Sequence, residues 1–190
     1  MSDHLAPIPW LDLLLILALI ALHGVLALSE LAIVSSRDAR LRAMARSGSK
    51  GAQCALDLGS EPGRFLSTVQ SGITLITIIN GAFSGASLGE PVAERLEAAG
   101  LAQTTAHTLG YGLVVVVITY VSLVIGEIVP KQMALRSPEP IAVVIARPMQ
   151  WLSRITAPFV WLLDRSSFLV FKLFGLDRES KNQVTAEELH

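Results

Sequence analysis

The sequence predicts an all-α membrane protein: three transmembrane helices followed by amphipathic helices lying along the cytoplasmic face. Three observations carry that expectation. The chain of 190 residues is 52% hydrophobic and only 16% charged, against roughly 25% charged in soluble domains. Its apolar residues fall into three uncharged or nearly uncharged runs, each close to the roughly 20 residues that cross a hydrocarbon core. Its charges collect in the segments between and after those runs. Backbone in lipid must satisfy itself, so the runs are expected to be helices.

The first run, about residues 11–35, contains LLLILALIALHGVLALSELAIV. It lacks the basic start and the cleavage pattern of a signal peptide. The second and third runs lie at about 65–89 and 108–129, the latter centred on Leu113-Val114-Val115-Val116-Val117-Ile118. Between runs one and two stand Arg37, Arg40, Arg42, Arg46, Lys50 and Arg64; between two and three, Arg95 stands beside Glu90, Glu94 and Glu97. The positive-inside rule puts the first connection in the cytoplasm, hence the N-terminus outside and the C-terminus inside.

After Lys131 the character changes. Ser137-Pro138-Glu139-Pro140 is a breaker, and residues 138–175 mix apolar residues with Arg147, Arg154, Asp164, Arg165 and Lys172. Pro148 and Pro158 are expected to divide this stretch. Burying Asp164-Arg165 in a fourth span would be costly. Helices along the interface, anchored by Trp151 and Trp161 among the lipids, fit better. The module is expected to occupy residues 1–180, with 181–190 starting a linker to a further domain. Cys54 is the only cysteine, which excludes an internal disulfide and a cysteine-cluster metal site. No nucleophile–base pair, metalloprotease helix motif or nucleotide loop is present, so neither an enzyme nor a nucleic-acid partner is expected.

Each span carries polar groups that lipid would not accept. His23 and Glu30 share a helical face, with Ser29 adjacent. In the second span Gln70, Thr74, Thr77 and Ser84 form a stripe bordered by Ser71 and Asn80. The third offers Thr119, Ser122 and Glu127. Intramembrane ionisable groups are functional candidates. Plainer readings stand beside this one: hydroxyls as interhelical glue around the small pair Gly81 and Gly85, His23 as a packed histidine, Glu30 as an interfacial charge, Glu127 as a partner for Lys131. In Gly126-Glu127-Ile128-Val129-Pro130-Lys131 an α-helical Pro130 has no N–H for the Gly126 carbonyl. That carbonyl beside a carboxylate suits a hard cation. Oxygen ligands without thiolate or a second histidine favour Mg2+ or Na+ over zinc or copper. A lone three-helix subunit gives these groups little shelter, so a two-fold homodimer is expected.

Ala27-Leu28-Ser29-Glu30-Leu31-Ala32, Gln70-Ser71-Gly72-Ile73-Thr74-Leu75 and Gly126-Glu127-Ile128-Val129-Pro130-Lys131 resemble the transmembrane module of the CorC/cyclin-M magnesium transporters, often labelled hemolysin-related in bacteria. The resemblance covers nearly the whole chain, including the Val-Thr-x-Glu-Glu ending that leads into a cytoplasmic CBS-domain pair in that family. It implies a homodimer in the bacterial inner membrane, exporting Mg2+ coupled to Na+ influx. Carried over by position, it implies cation contacts from Ser29, from the Ser71 to Asn80 region, and from Gly126 and Glu127; the residues themselves add Glu30, Thr77 and Ser122 as weaker candidates and Pro130 as a structural one. Many members read Gly-Asn-Thr-Leu-Val-Asn where this chain has Gly72-Ile73-Thr74-Leu75-Ile76-Thr77; Asn80 lies one turn on. The rival class is a membrane anchor that regulates cytoplasmic domains without transporting.

Overall fold

A computed structural model describes residues 9–173; the N-terminal eight residues and 174–190, with the expected linker, lie outside the described part. Of the described residues 93% are helical, with no strand among them. Three helical stretches are long and apolar enough to cross a membrane: Trp10–Ser35, Pro62–Ala98 and Gln103–Arg136.

Helix α1 (Trp10–Ser35) ends where Ser36 turns extended. Two short helices come next, α2 (Asp38–Arg46) and α3 (Lys50–Ser60). The turn between them needs a glycine. Gly48 sits at φ +95°, with Ser49 N–H bonded to the Met44 carbonyl and Gly48 N–H to that of Ala45, the paired closure of a left-handed helix cap. Ser49 then caps α3, accepting from the Ala52 N–H at 3.3 Å. Gly100 (φ +101°) repeats this closure at the end of α4.

Helix α4 (Pro62–Ala98) has 37 residues, about 55 Å at 1.5 Å per residue. It therefore outruns the apolar stretch that predicted it and continues through the charged residues Glu90 to Glu97. Pro91 does not end it. The third span consists of α5 (Gln103–Leu123), a π-helical segment (Val124–Ile128) and α6 (Val129–Arg136). The α4–α5 hairpin is tight: a Cβ on Gly110 would lie 2.8 Å from the Ala93 backbone nitrogen and 2.9 Å from its Cα. The pair expected to serve this role behaves otherwise. A Cβ on Gly81 would meet nothing within 4 Å, and one on Gly85 only Val115 at 3.6 Å.

The breaker acts as expected: α6 stops at Arg136 and α7 starts at Pro138. Pro148 and Pro158 do not divide the interfacial stretch, for α7 (Pro138–Leu173) runs through both. Each proline removes one backbone bond. Against that, Ala142, Ile145, Ala146, Met149, Ser153 and Val160 form a buried seam at helical spacing that holds α7 in line. Gly51 of α3 approaches so closely that a Cβ there would fall on the Val143 carbonyl. Trp151 and Trp161 face away from the seam, 68% and 66% exposed.

The main packed core lies at the arginine-rich end. It joins Leu26, Ala32 and Ile33 of α1 to Leu41, Ala55, Leu58, Phe65, Val69, Ala134 and Ile145 from the other helices. Cys54 belongs to it; burial, helped by Asp57, raises its thiol pKa, which leaves it a packing residue. Glu139 opens α7. Its own backbone N–H, and after it Arg37 and Arg40, lower its carboxyl pKa, and Arg40 lies 3.6 Å away. This contact ties α7 to the basic connection.

Candidate functional site

The distinctive local feature is the π-helical turn at Val124–Ile128, where the Val129 N–H bonds to the Val124 carbonyl, five residues back. Such turns hold one extra residue in a helix and often mark functional positions. Gly126 and Pro130 account for it here. Gly126 lets α1 approach: a Cβ there would stand 3.2 Å from His23 Nδ1 and 3.4 Å from the Ile20 carbonyl. Pro130 removes a donor, and the register decides which carbonyls lose it. With a four-residue spacing the loser is Gly126, as the sequence suggested. With a five-residue spacing it is Ile125, whose α-helical donor, Val129, is already committed to Val124. The Ile125 oxygen faces α1, 3.5 Å from where a Gly24 Cβ would stand. The π register thus adds Ile125 to the expected Gly126.

Beside this turn lies a charged cluster. Lys131 Nζ donates to Glu127 Oε1 at 2.9 Å and stands 3.7 Å from Glu30 Oε2 on α1. Gln70 Nε2 of α4 reaches Glu30 Oε1 at 3.5 Å. The Glu30 side chain is 15% exposed, those of Glu127 and Lys131 about one-third. All three spans therefore contribute to one cluster. Ser29 and Ser71 are its sequence neighbours. Ser29 is fully buried and donates to the Leu26 carbonyl at 2.7 Å, which leaves its oxygen free to accept; Ser71 is half-buried.

A second polar level lies deeper. Asn80 Nδ2 donates to Ser122 Oγ at 3.1 Å, both buried. Asn80 Oδ1 has no protein partner, and neither does His23 Nε2. A buried polar atom without a partner costs about 1–3 kcal/mol. Ser71 and Asn80 are nine residues apart on one helix, about 13 Å along its axis at 1.5 Å per residue. Mg2+ holds oxygens at about 2.0–2.1 Å, so in this conformation no single ion touches both. The candidate residues fall into two levels joined by the π turn.

The hydroxyl stripe does not form one inward face. Gln70, Thr74 and Thr77 are exposed and Thr77 bonds its own helix at the Ile73 carbonyl, whereas Ser84 is buried. The buried line runs through Phe65, Val69, Ile76, Asn80 and Ser84. Gln70 and Lys131 carry more of the site than the sequence reading gave them. For Lys131 the i,i+4 spacing from Glu127 was the readable signal. Among the described residues no three histidine, cysteine, aspartate or glutamate side chains gather as a metal-holding group. A cation here would be met mainly by neutral oxygens and one or two carboxylates.

The fold and this site define a three-span membrane module with a polar seam where the spans meet. Residues 14–190 match the cyclin M transmembrane N-terminal domain, and the chain belongs to that family. It is 44% identical over 179 residues to the UPF0053 protein sll0260 of Synechocystis, covering 94% of this chain and 40% of that protein. It is 33% identical to the UPF0053 protein YhdP of Bacillus subtilis, covering 93% of this chain and 40% of that one. With the polyamine export protein of Escherichia coli K12 it shares 26% identity, over 94% of this chain and 40% of that protein. The chain thus spans about two-fifths of these relatives' length.

Proposed function

We propose that this chain is the membrane-spanning part of a cation exporter, with Mg2+ as cargo and Na+ influx as the driving reaction. The observation that carries the reading is the π turn. It sets a carboxylate, Glu127, beside carbonyls that Pro130 deprives of donors, next to a polar seam reached from all three spans. Hard-cation chemistry fits that donor set. The cargo would pass between the Glu30–Glu127 level and the Asn80–Ser122 level. The site's neutral oxygens hold a cation loosely enough to release it, as transport requires. We place the basic connection Arg37 to Arg64 in the cytoplasm of a bacterial inner membrane, and two copies in a two-fold dimer that shelters the seam. The chain acts as a transporter and not as an enzyme.

A specific observation favours a second cargo. The Glu30–Glu127 pair already holds a primary ammonium, that of Lys131, and one relative is named a polyamine export protein. Melting of the chain in detergent across MgCl2 and spermidine series separates the readings. A ligand at 100 times its Kd stabilises by about 2.7 kcal/mol. Selective stabilisation by Mg2+, lost in Glu127→Gln with folding retained, supports the first reading. Stronger stabilisation by spermidine supports the second. No response to either supports a non-transporting anchor.

A further inference from the structure

We propose that Lys131 is a tethered counter-cation of the Glu30–Glu127 pair, which the cargo must displace, and that it sets the site's preference for multivalent over monovalent cations. The proposal rests on the cation-site reading above and assigns a role within it. A Glu–Lys pair at i,i+4 is by itself an ordinary helix contact. Here the same ammonium also reaches across to Glu30 on α1, so it bridges two spans. Glu30 takes a further contact from Gln70 of α4.

The charge balance gives the bridge its consequence. Two carboxylates and one ammonium leave the cluster with one net negative charge. A monovalent ion that replaces Lys131 merely restores that balance and gains nothing electrostatically. A divalent ion neutralises both carboxylates and so gains over the lysine. The geometry permits the exchange. The Lys131 side chain is one-third exposed and lies five residues before the end of α6 at Arg136. A lysine carries its charge on a flexible four-carbon stem, so its head reaches the polar interface while its stem stays against apolar surface.

The test is a set of melting titrations of the whole chain in detergent with MgCl2 and NaCl, and choline chloride as the ionic-strength control. The parent should respond to Mg2+ at far lower concentration than to NaCl, with choline chloride as the baseline. Lys131→Met should melt lower without ions and show a Mg2+ midpoint at least about tenfold lower, a change of about 1.4 kcal/mol. Its NaCl midpoint, measured against the choline control, should also lie below the parent's. Lys131→Arg keeps the charge, and its Mg2+ midpoint should stay within about threefold of the parent's; this variant decides the matter if Lys131→Met fails to fold. A Lys131→Met midpoint equal to or above the parent's, or a tenfold drop in Lys131→Arg, overturns the role of Lys131 and leaves the cation site standing. Absence of any Mg2+ response in parent and variants alike removes the site, and this proposal with it.

Discussion

The two ends of the three-span module repeat one electrostatic pattern with different consequences. At the arginine-rich end Lys131 lies between Glu30 and Glu127. At the opposite end His107 of α5 lies between Glu90 (Nδ1 to Oε2, 3.3 Å) and Glu97 (Nε2 to Oε1, 3.2 Å) of α4. The second of these contacts is close without hydrogen-bond alignment, and Tyr111 Oη adds a bond to Glu90 at 3.4 Å. Both clusters set a basic side chain between two carboxylates. The surroundings differ. The His107 cluster sits on a hairpin whose backbones touch at Gly110 and Ala93. The Lys131 cluster sits beside a helix turn in irregular register. One end is a clamp whose charges decorate rigid packing. The other adjoins the main packed core, and there charge and backbone irregularity coincide.

Packing should separate the ends most strongly. At Gly110 an added Cβ meets backbone atoms, which cannot move unless the helices part. At Gly126 it meets the His23 ring, a side chain that can yield by a few tenths of an ångström. Gly110→Ala is therefore expected to cost about 3 kcal/mol, the upper part of the usual overpacking range. Gly126→Ala should cost nearer to about 1 kcal/mol, while weakening the response to Mg2+. Chemical or thermal denaturation of both variants in detergent checks this. The reverse order of stabilities would show that the π turn, and not the hairpin, is the rigid end.

The π turn makes the next distinction. Pro130→Ala returns an N–H that the Ile125 or Gly126 carbonyl can take, and it removes the proline's clash with the preceding turn. The register should relax toward an α-helix and draw Glu127 out of place. The variant is expected to be at least as stable as the parent without ion, by up to about 1 kcal/mol for one satisfied carbonyl, and to bind Mg2+ more weakly. A merely damaged protein would lose both properties together. A lower ion-free melting temperature with an intact Mg2+-induced rise would show that neither carbonyl contributes to the site.

These contrasts were unequally visible in the sequence. The spans were legible because lipid excludes charge, so uncharged runs near 20 residues announce themselves. Their true ends were not: α4 continues through Pro91 to Ala98, since a helix leaving the bilayer need not stay apolar. Glu127 and Pro130 marked the third span as irregular, but the sequence could not choose between a four-residue and a five-residue register. That choice depends on how closely α1 approaches Gly126, a tertiary fact. The Glu127–Lys131 spacing was readable, whereas the bridge to Glu30 joins positions about a hundred residues apart. The hydroxyl stripe misled because a 3–4 spacing identifies a face without saying which way it turns. The buried line is centred on Val69, Ile76 and Asn80, and Thr77 and Thr74 lie on its exposed flank.

The smallest effect tests whether the His107 cluster is only a clamp. Removing the imidazole with His107→Gln keeps a polar side chain between Glu90 and Glu97 but takes away the cationic form. These side chains are between one-third and one-half exposed, and exposed ion pairs contribute about 0–1 kcal/mol. The hairpin below them holds by Gly110 against Ala93 without their help. The variant should therefore lose at most about 0.5 kcal/mol of stability, and more in low salt than in high, because salt screens such contacts. Its Mg2+ midpoint should equal the parent's, since Glu90 stands ten residues beyond Asn80 on α4, about 15 Å along the helix axis. Melting curves at two salt concentrations, each with a Mg2+ series, give both numbers. A midpoint displaced severalfold would mean that the outer carboxylates belong to the cation's route, and the division between a clamp and a site would give way to one continuous path.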